Sequence, residues 1–459
     1  MSAIDPSVYG AILKVREARR FDIACLLMRM YGYMMNIGTV AMLTLAGYSF
    51  FVAGLVSSVI ALAIFIIAPR LGKLVDERGQ SKVIPVAVAI SLSGLIVLLL
   101  SVHFHGPIWL LLVAAIVVGS IPNAQALSRT RWTYLLRTGK LGKGAPGINT
   151  IFSYEGILDD VAFMISPALS IFLASSITPI AGLALGGTSF LVGAILLTRS
   201  KDTEPKPGWE AEGKGSSEKD GARNADSLDS ASRVANAETS ADTANPPHAA
   251  PKTQARKREK SIFRTSPAVR VLFVLMLLLG SFFGTFDTTT VAFAEELGEP
   301  NIASGALMIS ALFSIVMGFL FGMMRLTVPH YKLVLTTAIC IGVAYGSMAL
   351  ITDVVSLYVV SCFGALFYAP FLIVMNGACE RAVPGKRLTE AITWLNAGAT
   401  CGLAIGPTVA GVMVDLMGAS AGFAVGAALA LAIPLIALIR RRTIKKGCES
   451  ATYKTLGMA

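Results

Sequence analysis

Two stretches of this chain, SFFVAGLVSSVIALAIFIIAP at 49–69 and VIPVAVAISLSGLIVLLLSV at 83–102, carry no charged side chain. The eleven residues GKLVDERGQSK at 72–82 between them hold five. An uncharged run of about twenty residues, at ~1.5 Å per helical residue, spans ~30 Å, the thickness of a bilayer's hydrocarbon layer. Both runs therefore read as membrane helices joined by a charged turn. Over the 459 residues, 54% are hydrophobic, only 15% are charged and the mean hydropathy is +0.67, too apolar for a soluble protein that must still present polar surface to water. An all-α polytopic membrane protein is expected.

Hydropathy marks twelve segments long enough to cross: 21–46, 49–69, 83–104, 107–127, 152–175, 178–198, 267–294, 302–325, 331–351, 355–379, 389–416 and 420–439. The 39 Lys and Arg sort sharply between the connections. The loops after the first, third, fifth, seventh, ninth and eleventh segments hold none, whereas the opposite side collects Lys14 to Arg20, the 72–82 turn, Arg129 to Lys143, the central linker, Arg381 to Arg387 and the stretch from Arg440. Basic residues stay on the cytoplasmic side, so both termini are expected there, in a cytoplasmic membrane. The net charge of +11 is on this reading a topology signal and an attraction to anionic lipid, with no nucleic-acid partner implied. The first apolar run lacks a small-residue cleavage site and should be retained. The six cysteines are scattered, without a CxxC pair, and neither disulfides nor a metal centre is expected; His103 and His105, on an outer loop, read as interface residues.

Residues 199–266, rich in Ala, Ser, Asp, Lys and Glu, have too little apolar surface to offset ordering entropy. They are expected to form a disordered cytoplasmic linker, giving an N-terminal segment 1–20, a six-helix bundle 21–198, the linker, a second bundle 267–440 and a tail 441–459. The halves align: Ser166-Pro167 falls on Gly406-Pro407, and Ala181-Gly182 on Ala421-Gly422. Duplicated halves are a common construction of secondary transporters.

The turn between the second and third segments, with Gly72, Asp76, Arg78, Gly79 and Lys82, resembles the signature loop of the major facilitator superfamily, G-x-x-x-D-R-x-G-R-R/K. GLAIGPTVAG at 402–411 is similar to that family's Gly-Pro helix, and 368–407 resembles bacterial drug-efflux-like members. Glu77 stands where the family has arginine, and Gln80 and Ser81 replace its basic pair. The fourth segment lacks the arginine of many proton-coupled exporters. The resemblance implies twelve helices in two pseudo-symmetric six-helix bundles. It also implies that Asp76 meets the start of the eleventh helix near Leu388 to Glu390, where free backbone N–H groups favour a carboxylate. Such a contact would exist only with the cytoplasmic side closed.

Ionisable groups inside spans are functional candidates by default. Arg29 lies roughly 12 Å deep and Asp159 roughly 11 Å deep by helical rise. Glu155 and Asp159 share a face, with Asp160 beside it. Two readings stand: Arg29 facing these acids makes a proton site, or it makes a static salt bridge. Asp287 is placed near the outer mouth of the seventh span, where it reads equally as a cavity-lining or vestibule group and as an interfacial residue. Asn36, Asn123, Gln125, Tyr368, Asn376 and Asn396 are polar groups that the resemblance allows to reach a central cavity, each alone as well explained by a helix–helix hydrogen bond. Pro122, Pro167, Pro370 and Pro407 mark bends, and Gly402 and Gly406 form a GxxxG for close packing. No phosphate-binding loop or soluble ATPase domain is present, so no enzyme activity and no cofactor are expected. The sequence points to a monomeric alternating-access transporter in lipid, exporting an amphipathic or cationic small molecule against protons. Uptake by symport or uniport, and a transporter-like sensor or assembly partner acting through the linker, remain as alternatives.

Overall fold

The computed structural model describes residues 16–139, 141, 148–206, 262–323, 328–383 and 388–455, and those residues form helices and short connections. The long helices are α1 Arg16–Leu45, α2 Phe50–Arg78, α3 Gln80–His103, α4 Ile108–Val118, α5 Ala124–Arg137, α6 Ile148–Ser176, α7 Ala181–Arg199, α8 Pro267–Glu296, α9 Asn301–Met323, α10 His330–Gly346, α11 Val354–Ala382, α12 Leu388–Met417, α13 Ala419–Ile439 and α14 Arg441–Thr455. Ten helices among the described residues are long and apolar enough to cross a membrane. The first helix, 30 residues, has the length but carries Asp22 and Arg29.

The charged turn is almost entirely helix. α2 runs on to Arg78 and α3 begins at Gln80, so the reversal is made by Gly79 alone, at φ 90°, a left-handed conformation that a side chain would strain. Its N–H reaches the Val75 carbonyl at 2.8 Å and closes the last turn of α2. The expected single span 107–127 is broken instead. α4 stops at Val118, and Pro122 leads into α5, whose first turn is capped by the Asn123 side chain accepting the Ala126 N–H at 3.1 Å. The basic stretch from Arg129 is thus largely helical.

The sequence after α7 is ordered for seven residues where a disordered linker was expected. Arg131, fully buried, donates to the Gln80 side chain at 2.7 Å, to the Leu197 and Ser200 carbonyls at 3.0 and 2.7 Å, and to the Thr203 hydroxyl at 2.8 Å. Glu204 accepts the Ser81 N–H at 2.7 Å. On the other side of the linker, the Ile262 N–H donates to Glu390 at 2.8 Å, and Phe263 stacks on Trp394 with ring centres 4.5 Å apart. Residues 207–261 lie outside the described residues. The expected tail is helix α14, with Ile444 and Cys448 buried and Gly447 against Ala268.

Two buried cores follow the two halves of the sequence, one built chiefly from residues 18–197 and the other from 262–448. The outward faces are apolar, as at Val86, Ile96, Val343 and Leu435, each more than half exposed, which suits lipid and not water. α12 packs along α8 with backbones in contact: Gly402 lies against Leu277 and Ser281, Gly406 against Ser281 and Thr285. The expected GxxxG is therefore a packing surface, and the Thr285 hydroxyl adds a 3.3 Å bond to the Gly406 carbonyl. Pro167 and Pro407 sit inside α6 and α12, where each removes one ladder N–H.

Contacts between the halves gather at the face away from the chain termini. Asp415 at the end of α12 accepts the Phe50 and Phe51 N–H groups at 2.9 and 2.7 Å. Thr44 donates to Glu295, Ser58 and Thr408 share a 2.7 Å hydroxyl bond, and Ser175 donates to Asn301 at 2.6 Å. Gly54 lies against the Pro407 carbonyl and Gly411 against that of Phe50.

Candidate functional site

A cavity of about 1050 Å³ opens between the halves. α1, α2 and α6 line it from one side and α8 to α12 from the other, at mid-helix positions such as Asn36, Pro167, Asp287 and Tyr368. Glycine keeps the wall thin where helices converge: Gly32 and Gly156 line it without a side chain. At the face away from the termini the contacts above seal it. Towards the termini α2 and α12 present exposed side chains, including Asp76 and Asn396. A solute therefore has one way in.

The wall is mostly apolar and aromatic. Phe283 meets Tyr368 at 4.4 Å between ring centres, and Tyr345 meets Phe286 at 5.9 Å. Asp287 lines the cavity, and Glu295 and Glu296 lie beyond it in the last turn of α8. Glu296 there accepts the Ala419 N–H at 2.7 Å. Asn36 also lines the cavity, and its carbonyl oxygen accepts from Ser57 at 2.6 Å.

The expected charge cluster forms directly behind this wall. Arg29, 5% exposed, makes an ion pair with fully buried Glu155 and donates to its main-chain carbonyl at 3.2 Å. Glu155 also accepts from Ser128 and from the Trp132 indole at 3.1 Å. The same indole N–H lies 3.0 Å from Asp22. Glu155 is thus saturated with donors, and removing one partner of such a pair typically costs ~3–5 kcal/mol. Asp159 is held differently: Tyr33 donates to it at 2.8 Å and Gln125 at 3.0 Å, while the Arg29 Nε stays 3.9 Å away, and its side chain is 23% exposed. Tyr33 is itself a lining residue, so one hydroxyl joins the cavity to the charged cluster.

Of the residues expected around a cavity, Asn36, Asp287 and Tyr368 line it; Arg29, Glu155 and Asp159 stand behind it, and Pro167, expected as a bend, also lines it. Three expectations fail. Asn123 caps α5 and is exposed, Asn376 is exposed and donates back to the Leu372 carbonyl at 3.0 Å, and Asn396 is exposed outside the lining. Each is polar for helix-end or surface reasons. The side chain of Asp160 lies outside the described residues. Asp76 and Arg78 are exposed in the last turn of α2 and Lys82 in the first turn of α3, Gly72 faces open space, and Gly79 makes the reversal described above. Glu390, one of the residues expected to receive Asp76, accepts the Ile262 N–H. Sequence reasoning missed Asp22, Trp132 and Ser128. Asp22 had a readable signal, an acid seven residues before Arg29 and hence two turns away on the same helix face.

The family model of the Major Facilitator Superfamily matches residues 23–364 and 329–452. No curated protein matches the chain in sequence. Among solved structures, the nucleoside transporter NupG shares 14% identity at a TM-score of 0.62, covering 92% of this chain and 99% of that one. A peptide transporter POT in complex with sulfate shares 14% identity at 0.63, covering 94% and 95%. A bacterial homologue of the iron transporter ferroportin in its inward-facing state shares 13% at 0.63, covering 94% and 99%. At such identity these likenesses speak for the fold, and the extent of the family match carries the assignment: the chain belongs to the Major Facilitator Superfamily of membrane transporters.

Proposed function

We propose that the chain crosses the cytoplasmic membrane twelve times, in two six-helix bundles with both termini in the cytoplasm, and exports an amphipathic or cationic compound in exchange for protons. The broken pair α4 and α5 counts as the fourth crossing and α1 as the first. The one-sided placement of Lys and Arg supports the orientation, in which the present conformation is open to the cytoplasm. The observation that carries the reading is the cavity itself, built by both halves, mostly apolar and closed at a single face. A bulky apolar solute gains about 25 cal/mol per Å² buried there, without needing a specific polar frame. Rocking of the halves about it would expose it to the other side.

For the proton, the geometry separates the two acids. Glu155 is fixed by four donor contacts and suits a structural bridge, whereas Asp159, half-buried and tied to the cavity through Tyr33, suits a site that changes with the solute. The test is flux in proteoliposomes over a panel of lipophilic cations, neutral amphipaths and small nutrients, with and without an imposed pH gradient. Gradient-driven movement of lipophilic compounds out of the compartment corresponding to the cytoplasm is expected. Movement of polar nutrients alone, or flux indifferent to the gradient, would overturn the reading.

A further inference from the structure

α14 ends the described chain, and its two faces differ sharply. The inner face is small and apolar: Ile444 and Cys448 are buried, and Gly447 sits against Ala268 in the first turn of α8. The opposite face therefore points away from the bundle. It carries Arg441, Arg442, Lys445 and Lys446, all exposed, with exposed Arg440 directly before them. Against these five cations the helix sets one acid, Glu449, 3.8 Å from Lys445. Lys445 also lies over the ring of Tyr331 at 5.5 Å, beside exposed Lys332 at the start of α10, and Arg381 adds an exposed cation at the end of α11.

The first half is built differently at the same side. Arg70, Lys73, Arg78 and Lys82 are interleaved with exposed Asp76 and Glu77, and Lys73 pairs with Glu77 at 3.7 Å. Charge is largely balanced there; at α14 it is not. Cations four residues apart on a helix repel, so Arg441 with Lys445, and Arg442 with Lys446, weaken α14 unless an anion lies over them.

The chain itself supplies such an anion. Between Pro207 and Pro251 the sequence has eight Asp and Glu, from Glu210 to Asp242, against four Lys and Arg. Those residues lie outside the described ones, but both attachment points are described: Lys206 in the first half and Ile262, whose N–H is held by Glu390, in the second. Ile262 stands six residues before Ala268, which Gly447 touches, so the connection leaves the second half close to α14. The cations at 252–260 cannot serve as the anion, and Glu210 to Asp242 is left as the matching segment. Asp242 is twenty residues from Ile262, and a chain of that length has a root-mean-square reach of ~25 Å, which holds its acids near α14 at about millimolar local concentration.

We propose that the outer face of α14 is the docking surface for the acidic segment 210–242 of the same chain, held by ion pairs to Arg441, Arg442 and Lys446. Nothing in this depends on transport: α14 and the segment need only share a side of the membrane, and the contact of α14 with α8 and the attachment at Ile262 place them there. The attachment is weak pair by pair, accumulates over the segment and is screened by salt.

The experiment uses the full chain, in a background without the native cysteines, purified into nanodiscs of neutral lipid. Cysteines are placed at Ser227 and Thr443, or at Ser227 and Gly72 as a reference on the first half, where Gly72 faces open space, and are joined with a short bismaleimide. At low salt the Ser227–Thr443 pair should cross-link roughly fivefold faster than the reference, and most of that advantage should vanish at about 1 M salt. The triple variant R441E, R442E and K446E should lose the advantage at any salt. Adding D220K, D226K and D229K to it should restore the advantage, which a merely misfolded α14 would not allow. Equal rates for the two pairs, or an advantage indifferent to salt and to charge reversal, would overturn the proposal. An advantage that disappears once the nanodisc contains phosphatidylglycerol would overturn it too, because the face would then belong to the anionic membrane surface.

Discussion

α2 and α12 run antiparallel across the junction of the halves, and each ends in a turn bearing a carboxylate. At one end Asp415 of α12 is seated on the first N–H groups of α2, at 2.9 and 2.7 Å, and the helices touch through Gly54 and Gly411. At the other end Asp76 of α2 is exposed, and the residues 384–387 leading into α12 are outside the described ones. The chemistry proposed for the two ends is the same: a carboxylate from one half against the positive N-terminus of a helix in the other. At the Asp415 end glycine also lets the two backbones meet. A charge on a helix end is a weak clamp, and it holds where glycine lets two main chains come into contact. In the transport reading, closure at each end is a competition between these two weak clamps, and the equilibrium between open forms is set by their difference.

The largest expected effect tests whether the comparison concerns hinge contacts or the stability of a bundle. Glu155→Gln leaves buried Arg29 with only the more distant Asp159 as counter-charge and should cost up to ~3–5 kcal/mol of stability in the first half, read as earlier thermal unfolding in detergent. It should leave the balance between the two ends in place. A change in end accessibility with unchanged unfolding would show that the cluster is part of the hinge.

Next comes the contact itself. Gly411→Leu puts a side chain where the Phe50 backbone now sits, and the neighbour is main chain, which cannot swing aside. Overpacking of this kind costs ~1–3 kcal/mol, all of it charged to the closed form of the Asp415 end. The expected readout is a roughly 5–150-fold rise in labelling of a cysteine placed at Ser58, in a background without the native cysteines. Unchanged labelling would mean that the carboxylate alone closes this end.

Much of this arrangement was legible in the sequence, and the parts that were not share a physical cause. Long uncharged runs and the side bias of Lys and Arg report directly on the solvent, so the helices and the buried charges Arg29, Glu155 and Asp159 could be read without a fold, whereas which acid pairs with Arg29 could not. GxxxG at Gly402 and Gly406 was legible because close packing needs a missing side chain at a fixed spacing. Asn123, Asn376 and Asn396 misled because an amide serves a helix cap, a local carbonyl or a cavity equally well, and only position decides. Arg131 read as one more loop cation. Burial turned it into the clamp that fastens the start of the linker, which depends on Leu197, Ser200 and Thr203, residues about seventy positions away in sequence. Asp287 was legible as a cavity candidate because a carboxyl inside an apolar span is costly unless it faces water or a partner, and it does line the cavity.

The smallest effects come from the two carboxylates, and they sharpen the comparison most. Asp415→Asn keeps an acceptor but removes the charge, so the Asp415 end should lose about 0.3–1 kcal/mol of closure, since the site is exposed and screened by salt. That is at most a roughly fivefold rise in Ser58-site labelling, and it should shrink at high ionic strength. Asp76→Asn should act in the opposite direction by a similar amount, lowering the labelling and slowing turnover while leaving insertion intact. Because the two residues lie at opposite ends of the helix pair, their effects should add, and the double variant should return to near the wild-type distribution. Two shifts of the same sign would show that Asp76 does not oppose Asp415, and the idea of matched clamps at the two ends would have to be abandoned.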